Sequence, residues 1–191
     1  MRKIILASRS KARQKLLRQI GLKFEVSISR VKEKRAFKKS CSSLVMENAL
    51  KKARDVAQRY KKGIVVSADT VVLVGKKIIG KPKNLKDAFN ALKALSKKPQ
   101  WVYSGIAVID IDNKKTYTDY EKTKVYMYRL NDKQIKDYFK RTSPLDKAGS
   151  FDIQGRGAIF IDRVEGCYYN VVGLPLAKLA RILEKTNTRI F

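Results

Sequence analysis

A chain of 191 residues is long enough for one domain with a sizeable core, or for two small lobes, and its 44% apolar content is too high for a disordered polymer. Lys and Arg number 44 against 17 acids, and the net charge of +27 attracts polyanions (nucleic acid, anionic lipid or phosphorylated small molecules), although a Lys-rich genome-wide composition gives the same excess. With 0 histidines, imidazole bases, Ser-His-Asp triads and His metal ligands are excluded; acid–base or metal chemistry falls to Asp, Glu, Lys, Tyr or backbone, and carboxylates suit Mg²⁺ or Mn²⁺ better than zinc.

Residues 2–7 (RKIILA) read as a short buried strand. In "SRSKARQKLLRQIGLKF", Leu16, Leu17 and Ile20 share one helical face, with Ser10 as N-cap and Gly21 at the C-terminal end. "FEVSI" reads as a second strand, and residues 29–41, basic and without period, as a loop carrying Glu33. Residues 42–60 carry the clearest helical stripe, through Leu44, Val45, Ala49, Ala53, Val56 and Ala57. "GIVVSADTVVLVGKK" at 63–77 reads as strand on both sides of Ser67-Ala68-Asp69-Thr70. A "GKPKN" turn leads to a helix at 85–96; "VYSGIAVIDID" and "TYTDYEKTKVYMYRL" form a long hairpin through Asp112-Asn113. A helix at 131–140 opens on Asn131 as its cap, residues 143–164 are Gly-rich and return to strand at 158–164, and the last helix, 175–185, has Pro175 in its first turn. No repeat or linker divides the chain, so one α/β or α+β domain over 1–191 with a mixed sheet is expected.

Cys41 and Cys167 have no motif spacing, which predicts free thiols in a reducing cytosol. The four-residue apolar run near the N-terminus is too short for a signal peptide, and no stretch approaches the ~20 apolar residues of a membrane span. A cytoplasmic protein without membrane contact is the expectation.

Several segments carry chemistry, each beside a plainer reading. The strand–loop–helix at 4–20 sets Ser8, Ser10, Lys11 and Arg13 at a helix N-terminus, which is an anion site or a capped surface helix. A carboxylate between two apolar strands costs on the order of several kcal/mol unless it is paired, hydrogen-bonded or metal-bound. Asp69 is therefore the strongest candidate, its alternative being a strand-end Asp that caps a turn with Thr70. Glu33 is a second carboxylate, or a loop surface charge. "GKP" at 80–82 and "DKAG" at 146–149 place Lys81 and Lys147 beside turns, able to grip phosphate oxygens or merely part of the turns. In "IQGRG" at 153–157 the Gln154 amide can read a base edge, or is a loop glutamine. Together the set equips a protein to hydrolyse a nucleotide phosphoanhydride, with cations and metal neutralising charge and a carboxylate handling water.

Through "ILASRSKARQKLL", "SADTVV", "GKP", "TKV", "PLDKAGSFDIQGRGA" and "YYNVVGLPL", in order and over nearly its whole length, the sequence resembles the Maf-type nucleoside triphosphate pyrophosphatases. The "DKAGSFDIQG" form resembles the branch acting on dTTP and UTP rather than methylated GTP. The resemblance implies one elongated α/β domain with a mixed, strongly twisted sheet flanked by helices, a cleft between two lobes, as in inosine triphosphate pyrophosphatases, and metal-dependent release of pyrophosphate from a nucleoside triphosphate. Asp69 matches the family's proton acceptor; Ser8, Arg13, Glu33, Lys52, Lys81 and Lys147 match phosphate- and metal-handling positions; Thr70 and Gln154 match positions tied to base preference. Asp69 and Glu33 are thus the expected metal ligands.

The chain departs from the family pattern at Ser10-Lys11-Ala12-Arg13, where Ser-Pro-Arg-Arg is usual, so Ala12 stands at a position associated with substrate preference and Lys11 offers its charge from next door. Gln100 replaces the usual His, Ser104-Gly105 the usual Thr-Gly, and Ser143 the Glu before Pro144. A broad-range enzyme clearing non-standard nucleotides is the nearer alternative, and a homodimer is compatible with the sequence. The basic residues are scattered over many segments rather than gathered with aromatics into one module, which ranks nucleic-acid binding as a weak, non-specific companion activity.

Overall fold

The computed structural model describes residues 2–34, 36, 39–145 and 147–188; Asp146 and three positions of the expected 29–41 loop lie outside the described residues. The order of elements is β1 (Ile4–Leu6), α1 (Lys11–Gln19), β2 (Glu25–Val26), α2 (Cys41–Ala57), β3 (Ile64–Val74), β4 (Lys77–Ile79), α3 (Leu85–Leu95), β5 (Gln100–Asp110), β6 (Lys115–Met127), α4 (Asp132–Arg141), β7 (Ile161–Glu165), α5 (Tyr168–Val172) and α6 (Leu176–Glu184). Among the described residues, seven strands form one mixed sheet in the order β2-β1-β3-β5-β6-β7, with β4 paired to β3. β1 runs parallel to β2 and β3, whereas β3/β4 and β6/β7 are antiparallel. The mixed α/β architecture expected from the sequence is therefore present.

The chain falls into two compact units, Met1–Thr70 with Tyr103–Glu121 and Tyr169–Phe191, and Val71–Val102 with Lys122–Tyr168. In the first unit β1 reads as an unbroken apolar run because both of its faces are covered. Ile4 and Leu6, with Ile64, Val66 and Ala68 of β3, pack against Leu16 and Leu17 of α1 and Leu179, Ile182 and Leu183 of α6. Ile5, Ala7 and Val65 face the other way, onto Ala49, Ala53 and Val56 of α2. This alternation, the period of two of a strand, sorts the residues of β3 up to Thr70 to one helix layer or the other.

The helix ends follow their caps. Ser10 Oγ accepts from Arg13 N at the start of α1, and Gly21 beyond its end takes φ 73°. Ser40 and Ser43 form a capping box for α2, Asn131 and Gln134 another for α4. Pro175 is the N-cap of α6 rather than part of its first turn, since α6 begins at Leu176. α5 and β4 have no counterpart among the predicted elements, β7 starts at Ile161 rather than 158, and two short 3₁₀ turns, Ala148–Ser150 and Arg156–Phe160, occupy the Gly-rich stretch. Both cysteines are free.

Two contacts fix the first unit. A Cβ at Gly105 on β5 would stand 2.3 Å from the carbonyl carbon of Val45, so helix α2 rests on the sheet backbone to backbone. Arg2 spans Asp110, 1% exposed, and Asp112, at 2.5 Å, and also donates to Thr186 O at 2.7 Å, tying the start of the chain to the β5–β6 hairpin and the end of α6.

Candidate functional site

Asp69 and Thr70 lie inside one continuous strand, β3, rather than in a turn between two strands. The physical reason is their burial: Ser67, Ala68 and Asp69 are all nearly inaccessible, and a strand satisfies their backbone groups where a buried turn would not. Val65, Ser67 and Asp69 face α2, and the Ser67 hydroxyl donates to Ala49 O on that helix. Asp69 is 5% exposed and has two partners, also from α2: Asn48 Nδ2 donates to Oδ2 at 2.9 Å, and Lys52 Nζ donates to Oδ1 at 3.0 Å. Asn48 and Lys52 are one helical turn apart, so both reach down onto the same strand position.

The Lys52 ammonium also donates to Glu33 Oε1 at 2.7 Å. Glu33 comes from the loop before α2, and Asn48 seats that loop: its Oδ1 accepts from Lys34 N at 2.9 Å, and its Nδ2 donates to Lys34 O at 3.0 Å. Lys34 Nζ adds a pair with Glu47 at 2.6 Å. One amide side chain thereby holds both the buried carboxylate and the segment carrying the exposed one.

Thr70, next on the strand, faces the opposite helix layer. Its Oγ1 accepts from Arg13 Nη2 at 2.9 Å and lies 2.7 Å from Ser104 Oγ, which donates onward to Asn170 O at 3.2 Å. Arg13 donates through Nε to Gly173 O at 2.8 Å and through Nη1 to Ser8 Oγ at 3.3 Å. Ser8 Oγ also accepts from Ser10 N at 3.2 Å. Burial lowers the pKa of the Arg13 guanidinium, and the negative field of Asp69 and Glu33 works against that; an arginine keeps its proton through such changes. The strand–loop–helix therefore presents a fixed cation, with Ser10 used as the cap and Ala12 adding no polar group. The Thr70 hydroxyl, expected as a base-side group, is occupied by Arg13 and Ser104.

In the second unit, Gly149 N donates to Gly80 O at 3.4 Å, joining the "GKP" and "DKAG" segments that carry Lys81 and Lys147. Gly149 takes φ 77° with its Cα against Leu95, a place where a side chain would be strained. Lys81 is exposed. Lys147 Nζ is 3.7 Å from Asp152 Oδ2, whose Oδ1 accepts from Gln154 N at 3.0 Å, and the Gln154 side chain is exposed. Asp152 N donates to Tyr138 Oη at 3.2 Å.

The sequence reading named neither Asn48, Ser104 nor Asp152 as site residues. Asn48 was findable: it interrupts the apolar stripe of α2 one turn before Lys52, and two polar residues at that spacing on a buried face need a common partner. Ser104 and Asp152 act through strand pairing and loop closure, which no local pattern announces.

For a divalent cation, no group of three or more Cys, Asp or Glu side chains gathers among the described residues. Asp69 and Glu33 nevertheless aim at one point, and carboxylate oxygens are the donors a hard cation takes. Mg²⁺ is commonly held by one or two carboxylates, with waters and substrate phosphates completing its shell, so the pair fits such an ion. The point is held by the Lys52 ammonium.

The sequence model described as Maf-like protein matches residues 3–186. The dTTP/UTP pyrophosphatase of Clostridium tetani (strain Massachusetts / E88) is 43% identical, across 97% of this chain and 98% of its own length. The dTTP/UTP pyrophosphatase of Ruminiclostridium cellulolyticum is 44% identical across 100% and 99%, and that of Bacillus anthracis (strain CDC 684 / NRRL 3495) 46% identical across 98% and 97%. Among solved structures, the Staphylococcus aureus Ham1 protein has a TM-score of 0.49 and 16% identity over 66% of this chain and 72% of that one. A family match spanning residues 3–186, with relatives this similar over nearly their whole length, shows that the chain belongs to the Maf family.

Proposed function

We propose that this protein hydrolyses dTTP and UTP to the monophosphate and pyrophosphate, in the cytoplasm, with a divalent cation. The observation that carries the reading is the convergence of Asp69 and Glu33 on Lys52 in a chain whose relatives bear that activity in their names. Asp69 and Glu33 would hold Mg²⁺ or Mn²⁺, which when bound neutralises phosphate charge and makes water easier to deprotonate. Asp69, seated by Asn48, accepts the proton of the attacking water. Arg13 is fixed by Gly173 O, Thr70 and Ser8, so that its charge is preorganised for an anion at no reorganisation cost. Lys52, Lys81 and Lys147 are assigned to charge neutralisation on the phosphates, Ser8 and Ser10 to their placement, Gln154 to the base side, and Thr70, its hydroxyl taken up by Arg13 and Ser104, to holding Arg13.

The test is pyrophosphate release from a panel of nucleoside triphosphates with Mg²⁺ or Mn²⁺. Turnover of dTTP and UTP above purine triphosphates supports the reading. Equal turnover across the panel favours broad clearance of non-standard nucleotides, and an Asp69→Asn variant with full activity removes Asp69 from the proton-accepting role.

A further inference from the structure

Three of the basic residues, Lys122, Lys124 and Arg163, meet aromatic rings on one face of the second unit. On β6, Thr123 and Val125 are fully buried, whereas Lys122, Lys124 and Tyr126 alternate with them and face outward. Lys122 Nζ and Lys124 Nζ lie 5.4 and 5.5 Å from the centre of the Trp101 ring on β5. Lys124 Nζ is also 5.0 Å from the centre of Tyr126, and the Arg163 guanidinium is stacked 3.6 Å from the centre of that ring. Arg163 is the direct cross-strand neighbour of Tyr126 on β7. The result is a ladder, Lys122–Trp101–Lys124–Tyr126–Arg163, built across three strands.

The charge of its middle cation, Lys124, is not cancelled in place. Arg163 pairs with Asp162 and Glu165, and the Tyr126 hydroxyl donates to Glu165, but among the described residues Lys124 is held by rings and by no carboxylate. A cation held on a π-face keeps its full charge for an outside anion. Past the end of β6 lies a groove of about 690 Å³ lined by Tyr128, Ile159 and Phe160, with Arg129, Arg141 and Arg156 and one acid, Asp137, also in its lining. Tyr128 is 57% exposed.

We propose that this face is a docking surface for single-stranded nucleic acid. Rings and cations set side by side suit a strand whose bases offer π-faces and whose phosphates offer charge, and guanidinium planes stack bases as rings do. A duplex hides its π-faces, and a second copy of a chain of +27 repels the ladder. The inference stands apart from the catalytic reading, since no Asp69-side residue takes part.

Trp101 is the single tryptophan, so its fluorescence reports the surface directly. Titration with a short mixed-sequence single strand should quench it, with log affinity falling steeply against log salt. Tyr126→Ala should weaken binding by about 5- to 150-fold. Lys124→Gln, on the outward row, should flatten the salt slope by about 0.7 while leaving the melting temperature close to that of the parent. Absence of quenching overturns the proposal. So does equal quenching by duplex, by dTTP at the same phosphate concentration or by anionic phospholipid vesicles, since each assigns the surface to a different ligand.

Discussion

Lys52 and Asp69 are joined by a 3.0 Å bond, and both side chains are almost closed to solvent, at 9% and 8% exposed. The same ammonium reaches the half-exposed Glu33. One internal cation thus stands where two carboxylates aim, at the point proposed above for the metal ion.

Lys52→Met puts this shared point to a test. Without the ammonium, Asp69 keeps only the Asn48 amide, and an uncompensated buried charge costs about 3–5 kcal/mol. Mn²⁺ or Mg²⁺ should restore part of that stability, raising the melting temperature of the variant more than that of the parent. Equal rises in both proteins would show that metal and ammonium do not share the point.

Asn48→Ala should lower stability by about 1–3 kcal/mol, because Asp69 Oδ2 and the Lys34 backbone lose their buried partner together. Urea unfolding measures this. Activity should fall further than the stability loss alone explains, as the Glu33 segment loses its seat.

Gly105→Ala places a methyl group 2.3 Å from the Val45 carbonyl carbon, and main chain cannot step aside as a side-chain tip can. A loss of about 3 kcal/mol is expected, at the upper end for overpacking. A variant with an unchanged melting temperature would contradict the close approach of α2 to β5.

Arg2→Gln tests the ion cluster at the start of the chain. Hydrogen bonds from Arg2 hold the Asp110 carboxyl far below its ordinary value, and Asp112 is lowered by the same guanidinium. A carboxylate with a depressed folded-state pKa stabilises fully above its unfolded value, about 4, and loses that contribution as pH falls toward the folded value. The stability gap between parent and variant, about 2 kcal/mol near neutrality from a charged hydrogen-bond pair, should therefore hold down to about pH 4 and close below it. Guanidine melts across acid pH provide the measurement.

Ala12→Arg restores the residue usual in the family at a position with no polar group of its own. A shift in the dTTP:UTP rate ratio is expected if that position bears on substrate preference, and an unchanged ratio would assign the preference elsewhere.

Much of this was legible in the linear chain. Apolar periodicity and capping residues located α1–α4 and the long hairpin within a few residues, because those signals are local. Asp69 was conspicuous as a charge inside an apolar run. The strand through Asp69 was read as two because the polar Ser67-Ala68-Asp69-Thr70 separates its apolar runs, and what buries that stretch inside one strand is the polar face of α2 (Asn48, Lys52 and the Ala49 carbonyl), brought from 17 to 21 residues earlier. The Trp101–Tyr126–Arg163 ladder was hidden for a related reason: its members sit on three strands, and only the sheet register makes them neighbours.

The contact between Gly105 and Val45 has one more implication. Helices usually stand off a sheet by a layer of side chains, and evolution adjusts their height by exchanging one apolar residue for another. Here that spacer is missing at the crossing, so the elevation of Asn48 and Lys52 above Asp69 is set by peptide planes. Core substitutions elsewhere in α2 can alter how tightly the helix is held, but they have little leverage over where its polar pair is delivered.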